Sequence, residues 1–392
     1  MIKKMCSVHP QKGLADEAIK GSSVFSFRGD KLLKASPEGV LKYMSRRNAV
    51  FLGESHNSKA DKILAKNILV ELGKIRGDEN LAVGLEMVQM PFQNVLDWYV
   101  YKAPVSKESD RQLFLATEWR QRWGWNFDNY LPILRYCQLK KIRMLALNVE
   151  EEATNRVMSQ GLTALTSEER DRLILDKAGF MGESMSSTFP SYVDAVLKPR
   201  CVLCAMSPRL CFGFAPCPLP NFCQRVFPDG SFFVCCSFKQ HVSMGIFQDD
   251  EKVFTNFVSN RILWDETMAS TSCRYLARNP DKLLVGLVGG DHVKTGHGIP
   301  ARIERILENI GFPNSRTASV ALNPTWKLYS QSKTLMQLKD LETSMGVNFG
   351  RQSGPKPKPA DVVAEEKDLS EEGWGAPPRP DHHPFSDIIW YG

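Results

Sequence analysis

Two apolar segments of the chain end in the same way, in a glycine followed three residues later by a histidine. The first is AVFLGESH (residues 49–56), and the second is LLVGLVGGDH (residues 283–292). Each is rich in strand-forming residues and has no polar residue before the glycine, which is typical of a parallel strand buried on both faces. Since ligands bind at the carboxyl ends of such strands, His56 and His292 are predicted to lie at one edge of a sheet.

Helical and extended patterns alternate through the middle of the chain. Residues 59–74 carry apolar side chains at helical spacing, and residues 81–85, 143–147 and 317–322 read as further strands. A strand, a helix and a second strand in this order predict a right-handed parallel crossover. The sequence therefore predicts one main α/β domain over residues 36–330, with a parallel-dominated sheet flanked by helices.

Three segments do not follow this pattern. Residues 1–35 read as a poorly ordered lead-in, and the proline-rich, charged residues 350–392 as a disordered tail. Residues 199–238 are rich in Cys, Pro and Phe and keep neither period, so they are interpreted as a poorly ordered insertion. A long surface insertion adds little loop-closure entropy, so the domain can tolerate it.

Composition limits the classes of function. The net charge is +6 with basic residues scattered along the chain, so no nucleic-acid partner is indicated. No apolar run reaches the length of a membrane-spanning helix. Seven of the ten cysteines fall between residues 201 and 236, whereas a disulfide-stapled secreted protein would spread them through its framework. An intracellular, reduced protein is expected.

Polar side chains follow four of the predicted strands. They are Glu54, His56, Glu86, Asn148 and His292. Two histidines and two carboxylates could hold a divalent metal ion, or could act as general acid and base on a bound substrate. Each residue also has a structural alternative, such as capping the next helix or pairing with an arginine. Their joint occurrence at strand ends favours the functional interpretation.

The glycine-rich segment GGDHVKTGHGIP, residues 289–300, permits close approach of the backbone to a ligand. Its spacing matches neither the phosphate-binding loop of nucleotide hydrolases nor the dinucleotide fingerprint. His297 within it is either a second ligand or a solvated loop residue.

Aromatic side chains are dense between residues 119 and 130. Trp123, Trp125 and Tyr130 belong to this aromatic patch, with Trp119 and Phe127. Such residues usually form core. Beside a polar rim they could instead form a flat apolar wall for a planar cofactor such as haem, with Tyr130 or a histidine as axial ligand.

Six motifs of this chain resemble, in order and over about residues 45–325, the ChaN-like haem-binding uptake family within the Tiki, erythromycin-esterase and TraB superfamily. They are LGESH at 52–56, GLEM at 84–87, WGWNFDNYLP at 123–132, ALN at 146–148, WDETMA at 264–269 and GGDH…GHGIP at 289–300.

The resemblance implies an α/β fold with a parallel sheet. It also implies haem binding, which in the bacterial lipoprotein member involves two cofacial haems between subunits, so a homodimer is one expectation. Tyrosine is the haem ligand of the family, and Tyr130 matches that position. Trp123, Trp125, Asn148 and His297 are the other expected cofactor contacts.

Superfamily relatives hydrolyse their substrates with the paired Gly-x-x-His motifs and a glutamate, and some use a metal. The matching positions here are His56, His292, Glu54 and Glu86, which would be the catalytic residues and the metal ligands of a hydrolase. The chain lacks a lipobox cysteine and looks more like the plant or algal form of the family, which is often found in plastids.

Three functions remain open from the sequence. The first is a haem- or tetrapyrrole-binding protein with a role in binding or trafficking, which predicts an apolar slot beside Tyr130. The alternative is a metal-dependent hydrolase of an ester or peptide, which predicts His56 and His292 within metal-sharing distance. A scaffold with a vestigial polar rim would instead leave these side chains scattered or mutually buried. Whether the protein is an enzyme stays open.

Overall fold

The structure, a computed structural model, describes residues 19–28, 31–197, 250–294, 296–324 and 386–392. Across these residues, eight strands form one mixed sheet that twelve α-helices flank. The predicted α/β class and single main domain are confirmed. The insertion at 199–238 and residues 350–385 of the tail lie outside the described residues.

Five of the predicted strands form where the sequence placed them, and three more lie near the chain ends. The strands are β1 (Ser23–Arg28), β2 (Lys31–Ala35), β3 (Ala49–Glu54), β4 (Leu81–Gln89), β5 (Arg143–Asn148), β6 (Leu283–Gly289), β7 (Thr317–Leu322) and β8 (Ile388–Tyr391).

Helices occupy most of the connections between strands. They are α1 (Pro37–Ser45), α2 (Lys59–Arg76), α3 (Gln93–Tyr101), α4 (Lys107–Ala116), α5 (Trp119–Arg122), α6 (Leu131–Lys140), α7 (Glu151–Gln160), α8 (Ser167–Leu173), α9 (Lys177–Glu183), α10 (Phe189–Tyr192), α11 (Glu251–Arg278) and α12 (Ile299–Asn309). None of the described helices is long and apolar enough to cross a membrane.

The order of strands in the sheet is β2-β1-β8-β7-β3-β6-β4-β5. Strand β6 is inserted between β3 and β4, so that Val285 lies opposite Val50 on one side and Val83 on the other. All pairs from β8 to β5 are parallel, whereas β1 pairs antiparallel with both β8 and β2. The carboxyl ends of β3, β6 and β4 therefore meet at one edge of the sheet.

Side chains of the central strands alternate between two cores. Val50 and Leu52 of β3 join the core that includes residues of α2 and α6. Phe51 of the same strand joins the opposite core, with residues of α11 and α12. Burial on both faces explains why these strands read as continuous apolar runs. By the same alternation Glu54 falls on the α2 face, and Glu86 of β4 falls on the α11 face.

The structure differs from the sequence prediction at both chain ends. Strands β1 and β2 lie within the expected lead-in, and β8 lies within the expected tail. Strand β8 fits between β1 and β7, where Trp390 is fully buried and its Nε1 donates to Ser22 Oγ at 2.8 Å. Among the described strands, β2 pairs only with the neighbouring β1, whereas β8 joins β1 to β7 from the other end of the chain, and local pattern does not reveal that pairing.

The last strand is expected to contribute substantially to stability. Trp390→Ala removes a fully buried indole, so the free energy of unfolding should fall by about 3–5 kcal/mol. Urea denaturation followed by circular dichroism measures the change. Leu139→Ala is the control, since that side chain is 61% exposed and its loss should cost less than about 0.5 kcal/mol. Equal losses in the two variants would contradict a structural role for β8.

Candidate functional site

A buried carboxylate at the end of β3 gathers three polar side chains. Glu54 Oε1 lies 2.9 Å from His56 Nδ1 and accepts a hydrogen bond from the Tyr130 hydroxyl at 3.0 Å. Its other oxygen pairs with the Nζ of Lys62, a fully buried residue of α2. Lys62 also donates to the backbone carbonyl of Ser55 at 2.7 Å. We call Glu54, His56, Lys62 and Tyr130 the Glu54 cluster.

The Glu54 carboxylate orients the imidazole of His56. A carboxylate beside Nδ1 holds the proton on that nitrogen, so the other nitrogen, Nε2, is the basic one. Nε2 faces the backbone of β6, because a Cβ atom added to Gly289 would stand 2.9 Å from it. The absence of a side chain at position 289 therefore makes room for the His56 ring.

A second cluster lies on the opposite face of the sheet. Glu86 is fully buried; one of its oxygens accepts the backbone N–H of Gly289 at 2.5 Å, and the other lies 3.3 Å from His292 Nε2. His292 Nδ1 is hydrogen-bonded to Asp265 of α11. Arg261, one turn earlier on α11, lies 3.3 Å from His292 Nε2. We call Glu86, His292, Asp265 and Arg261 the Glu86 cluster.

Charges within the Glu86 cluster shift the pKa values of Glu86 and His292. Burial alone would raise the pKa of Glu86, but the charge of His292 and its hydrogen bond lower that pKa to about 2. Burial and Arg261 disfavour protonation of His292, yet Glu86 and Asp265 together raise its pKa above the ordinary value. His292 and Glu86 therefore stabilise each other as an ion pair.

The two histidines have different hydrogen-bond environments, which suit them to different chemical roles. Both ring nitrogens of His292 face carboxylate oxygens, which favours the charged imidazolium. His56 has the Glu54 carboxylate at Nδ1. The arrangement can thus use His56 Nε2 as a base or a ligand, with a positively charged His292 nearby, because a Cβ added to Gly289 would stand 2.9 Å from His56 Nε2 and 3.5 Å from His292 Cδ2.

The predicted metal ligands do not come together as a metal centre. In the part of the chain that the structure describes, no group of three His, Cys, Asp or Glu side chains is arranged to hold an ion. Glu54 and Glu86 lie on opposite faces of the sheet and point at Lys62 and His292 instead. The expectation of a divalent metal gains no support from this geometry.

Two further predicted residues lie apart from both clusters. Asn148 ends β5 and is buried, and its Oδ1 has no hydrogen-bond partner among the described residues. His297 is buried with Nδ1 3.1 Å from Glu183 Oε1 and Nε2 2.9 Å from Thr188 Oγ1. Its ring nitrogens therefore face an ion network around Arg302 instead of His56 or His292.

The aromatic patch divides between core and surface. Trp119, Trp123 and Tyr130 are at most 2% exposed and belong to the core. Trp123 Nε1 donates to the Tyr130 hydroxyl at 3.4 Å, which fixes the tyrosine beneath the tryptophan. Trp125 is half-buried, and its ring centroid lies 5.5 Å from that of His56.

A surface groove of about 780 Å³ opens on the outer side of the patch. Its volume lies within the range of small-molecule pockets, about 300–1,000 Å³. Aromatic and basic side chains line it together, and we call it the aromatic groove. Its lining residues are Lys107, Asp110, Arg111, Phe114, Trp119, Arg120, Gly124, Trp125, Asn126, Phe127, Asp128, Leu131 and Arg135.

Several residues of the site were missed by sequence reasoning. Lys62 sits on the buried face of α2, between Asp61 and Leu64, and a lysine in that position was the available signal. Asp265 and Arg261 lie within α11, where every residue from 260 to 270 is buried. The groove residues Arg111 and Arg120 carry no distinguishing signal.

The chain matches a known protein family and is similar to a solved structure. Residues 40–303 match the family model described as haem-binding uptake, Tiki superfamily, ChaN. ChaN of Campylobacter jejuni, described with cofacial haem binding, is 17% identical, with a TM-score of 0.46 over 79% of this chain and 94% of that one.

Two other solved structures are similar at lower scores. A mutant of the erythromycin esterase EreC in its open conformation is 15% identical, with a TM-score of 0.35 over 73% of this chain and 72% of that one. A Bacillus cereus protein is 14% identical, with a TM-score of 0.31 over 73% and 68%. No curated protein is a significant match.

The ion pair of the Glu86 cluster should make stability depend on pH in two ranges. The pKa of Glu86 falls from 4.5 to about 2 on folding, so its contribution is present above pH 4.5 and is lost as pH falls toward 2. The raised pKa of His292 gives a contribution that is complete below its ordinary value of 6.5 and is lost as pH rises through the folded value.

Urea denaturation at a series of pH values measures the free energy of unfolding in both pH ranges. Glu86→Gln should reduce the loss of unfolding free energy between pH 4.5 and pH 2 by on the order of 3 kcal/mol. It should also weaken the loss of unfolding free energy at alkaline pH, because His292 loses its partner. The exposed Glu308→Gln is the control and should keep the wild-type profile. A profile for Glu86→Gln identical to that of the control would rule out the ion pair.

Proposed function

Because the chain belongs to the haem-binding uptake family of the Tiki superfamily that includes ChaN, we propose that it binds haem or a closely related tetrapyrrole. The proposed role is binding or trafficking of the tetrapyrrole. The aromatic groove is the observation that carries this proposal. The homodimer and the plastid location expected from the resemblance stay predictions.

The lining of the groove suits the chemistry of a tetrapyrrole. Trp125, Phe114 and Leu131 are partly buried and offer aromatic and aliphatic surface to the face of a planar macrocycle. Arg111 and Arg120 are exposed at its walls and can pair with propionate carboxylates through charge-assisted hydrogen bonds. Haem, when bound, supplies an iron centre, and the residues named here would hold its faces and its carboxylates.

Tyr130 as the iron ligand stays a prediction. Its hydroxyl is held by Glu54 at 3.0 Å, and its ring packs against Trp119 with centroids 5.3 Å apart. Ligation of iron from this position requires the hydroxyl to leave Glu54 and the ring to move outward past Trp119. In its present position Tyr130 fixes the carboxylate that orients His56.

Titration with haemin tests the proposal. The full chain should give a saturable Soret band, and Trp125→Ala should weaken binding by about tenfold or more, because stacking on an aromatic ring is worth about 0.5–1.5 kcal/mol beyond area burial. Trp125→Phe is the matched control and should retain most of the affinity.

Two outcomes of that titration are decisive. The absence of a saturable Soret band in the wild-type chain would contradict the proposal. Tyr130→Phe decides the iron ligand separately: a changed Soret maximum supports ligation by the phenol, and an unchanged one assigns Tyr130 to the support of Glu54 alone.

Hydrolysis of an ester or peptide is a second candidate function. The two carboxylate–histidine pairs, whose rings meet beside Gly289, favour it. His56 Nε2 would take a proton from water as the oxygen attacks the carbonyl carbon, while Glu54 holds the proton on Nδ1. The bond from the carbonyl carbon to the leaving oxygen or nitrogen would then break as His56 returns the proton to that atom. The Arg261 guanidinium, which lies 3.3 Å from His292 Nε2, would stabilise the negative charge that develops on the carbonyl oxygen.

Two neighbouring glycines provide a test of this candidate. A Cβ at Gly289 would stand 2.9 Å from His56 Nε2, so Gly289→Ala should reduce hydrolysis of an activated ester by about a hundredfold through misplacement of the ring. A Cβ at Gly290 would meet no atom closer than Glu54 O at 3.8 Å, so Gly290→Ala should keep the wild-type rate. No hydrolysis by the wild type, or equal rates in both variants, would reject the candidate.

A further inference from the structure

A second pocket, of about 470 Å³, lies at the edge of the sheet opposite the candidate site. It opens where β4 and β5 begin, beside the carboxyl end of α11. Five basic side chains line it, and we call it the basic pocket. They are Lys141, Arg143, Arg274, Arg278 and Lys282.

Backbone carbonyls hold three of these cations in place without neutralising them. Lys141 Nζ donates to Val100 O at 2.7 Å, and Lys282 Nζ donates to Glu79 O at 2.5 Å. Arg274 donates to Asp171 O at 3.1 Å. A hydrogen bond to a neutral carbonyl satisfies the donor but leaves the positive charge uncompensated.

Carboxylates offset only a part of the charge. Arg143 forms an ion pair with Asp97 at 3.3 Å, and Glu79 lines the pocket. The pocket therefore holds more positive than negative charge in a concave space, where the potential is focused. Burial and the neighbouring charge of Arg278 lower the pKa of Arg274, as expected for a cation among cations.

Stabilisation of a helix end does not account for the whole set. Arg274 and Arg278 lie near the carboxyl end of α11, where a positive charge favours the helix dipole. Lys141 follows α6, Arg143 begins β5, and Lys282 precedes β6. Residues from separate elements converge on one space, which a helix dipole does not require.

Two tyrosines form apolar parts of the same wall. Tyr101 and Tyr275 both line the basic pocket, and the charge of Arg143 acts on both hydroxyl groups. Arg143 therefore lies close to both rings. Its Nε is buried without a hydrogen-bond partner among the described residues.

We propose that the basic pocket binds a small, multiply charged phosphate anion, and that the diphosphate group of a nucleotide is the chemistry it fits. Several guanidinium and ammonium groups around one space match an anion that carries several charges and many acceptor oxygens. The half-buried ring of Tyr275 and the more exposed ring of Tyr101 offer surface for an attached base.

Calorimetric titration of the full chain with pyrophosphate, at about 0.1 M salt where screening is moderate, tests this assignment. A saturable heat is expected. The double variant Arg274→Gln/Arg278→Gln should weaken binding by about tenfold or more, since it removes two positive charges and their charge-assisted hydrogen bonds to phosphate oxygens. The single variant Arg278→Gln changes an exposed residue and should show a smaller loss with an unaltered fold.

Lys59→Gln, an exposed lysine on α2 outside the pocket, is the control and should bind pyrophosphate as the wild type does. ADP as a second ligand identifies the source of the phosphate: tighter binding than pyrophosphate indicates a nucleotide, and equal binding an inorganic or other diphosphate. Absent binding, unchanged affinity in the double variant, or equal affinity for citrate would overturn the proposal. The haemin titration is independent of each of these outcomes.

Discussion

The insertion of β6 between β3 and β4 is the constraint on which the candidate site depends. It places Gly289 opposite Glu54 in the ladder, so that one backbone position contacts groups from both faces of the sheet. The N–H of Gly289 donates to Glu86, and a Cβ at this position would stand 2.9 Å from His56 Nε2. If β3 and β6 were not neighbours, the two histidines would be separated by the width of at least one further strand.

Buried charge at this edge has to be compensated by partners. Glu54, Lys62, Glu86 and His292 are all at least nine-tenths buried, and each buried ion costs several kcal/mol unless a partner offsets it. The partners are present, yet apolar residues of similar size would often be as stable or more so. Mutual burial is what a purely structural role predicts, but orientation of a histidine by a carboxylate, repeated on both faces, is more than burial requires.

The sequence predicted the centre of the fold well and its edges poorly. Residues 283–288 became β6 within one residue, because a strand buried on both faces is apolar throughout. Strands β1, β2 and β8 were missed. Strand β8 is short and pairs with β1 more than 300 positions away, and the local β1–β2 pair joins the rest of the described sheet only through β8. Within the site, Glu54 closes β3 close to where it was predicted, whereas Glu86 lies inside β4, which continues to Gln89. The opposite faces of the two side chains were not predicted. Alternation shows which residues of one strand share a face of the sheet. Only the packed helices show which core each face contacts.

Trp125 connects the two candidate functions physically. Its indole lines the aromatic groove on one side and packs against the ring of His56 on the other, with ring planes inclined by 37°. Its backbone carbonyl accepts the Nε1–H of the buried Trp119 at 2.9 Å, which anchors the segment to the core. A ligand stacked on Trp125 therefore lies one ring away from the Glu54–His56 pair. Any displacement of the indole by a ligand in the groove would change what His56 packs against.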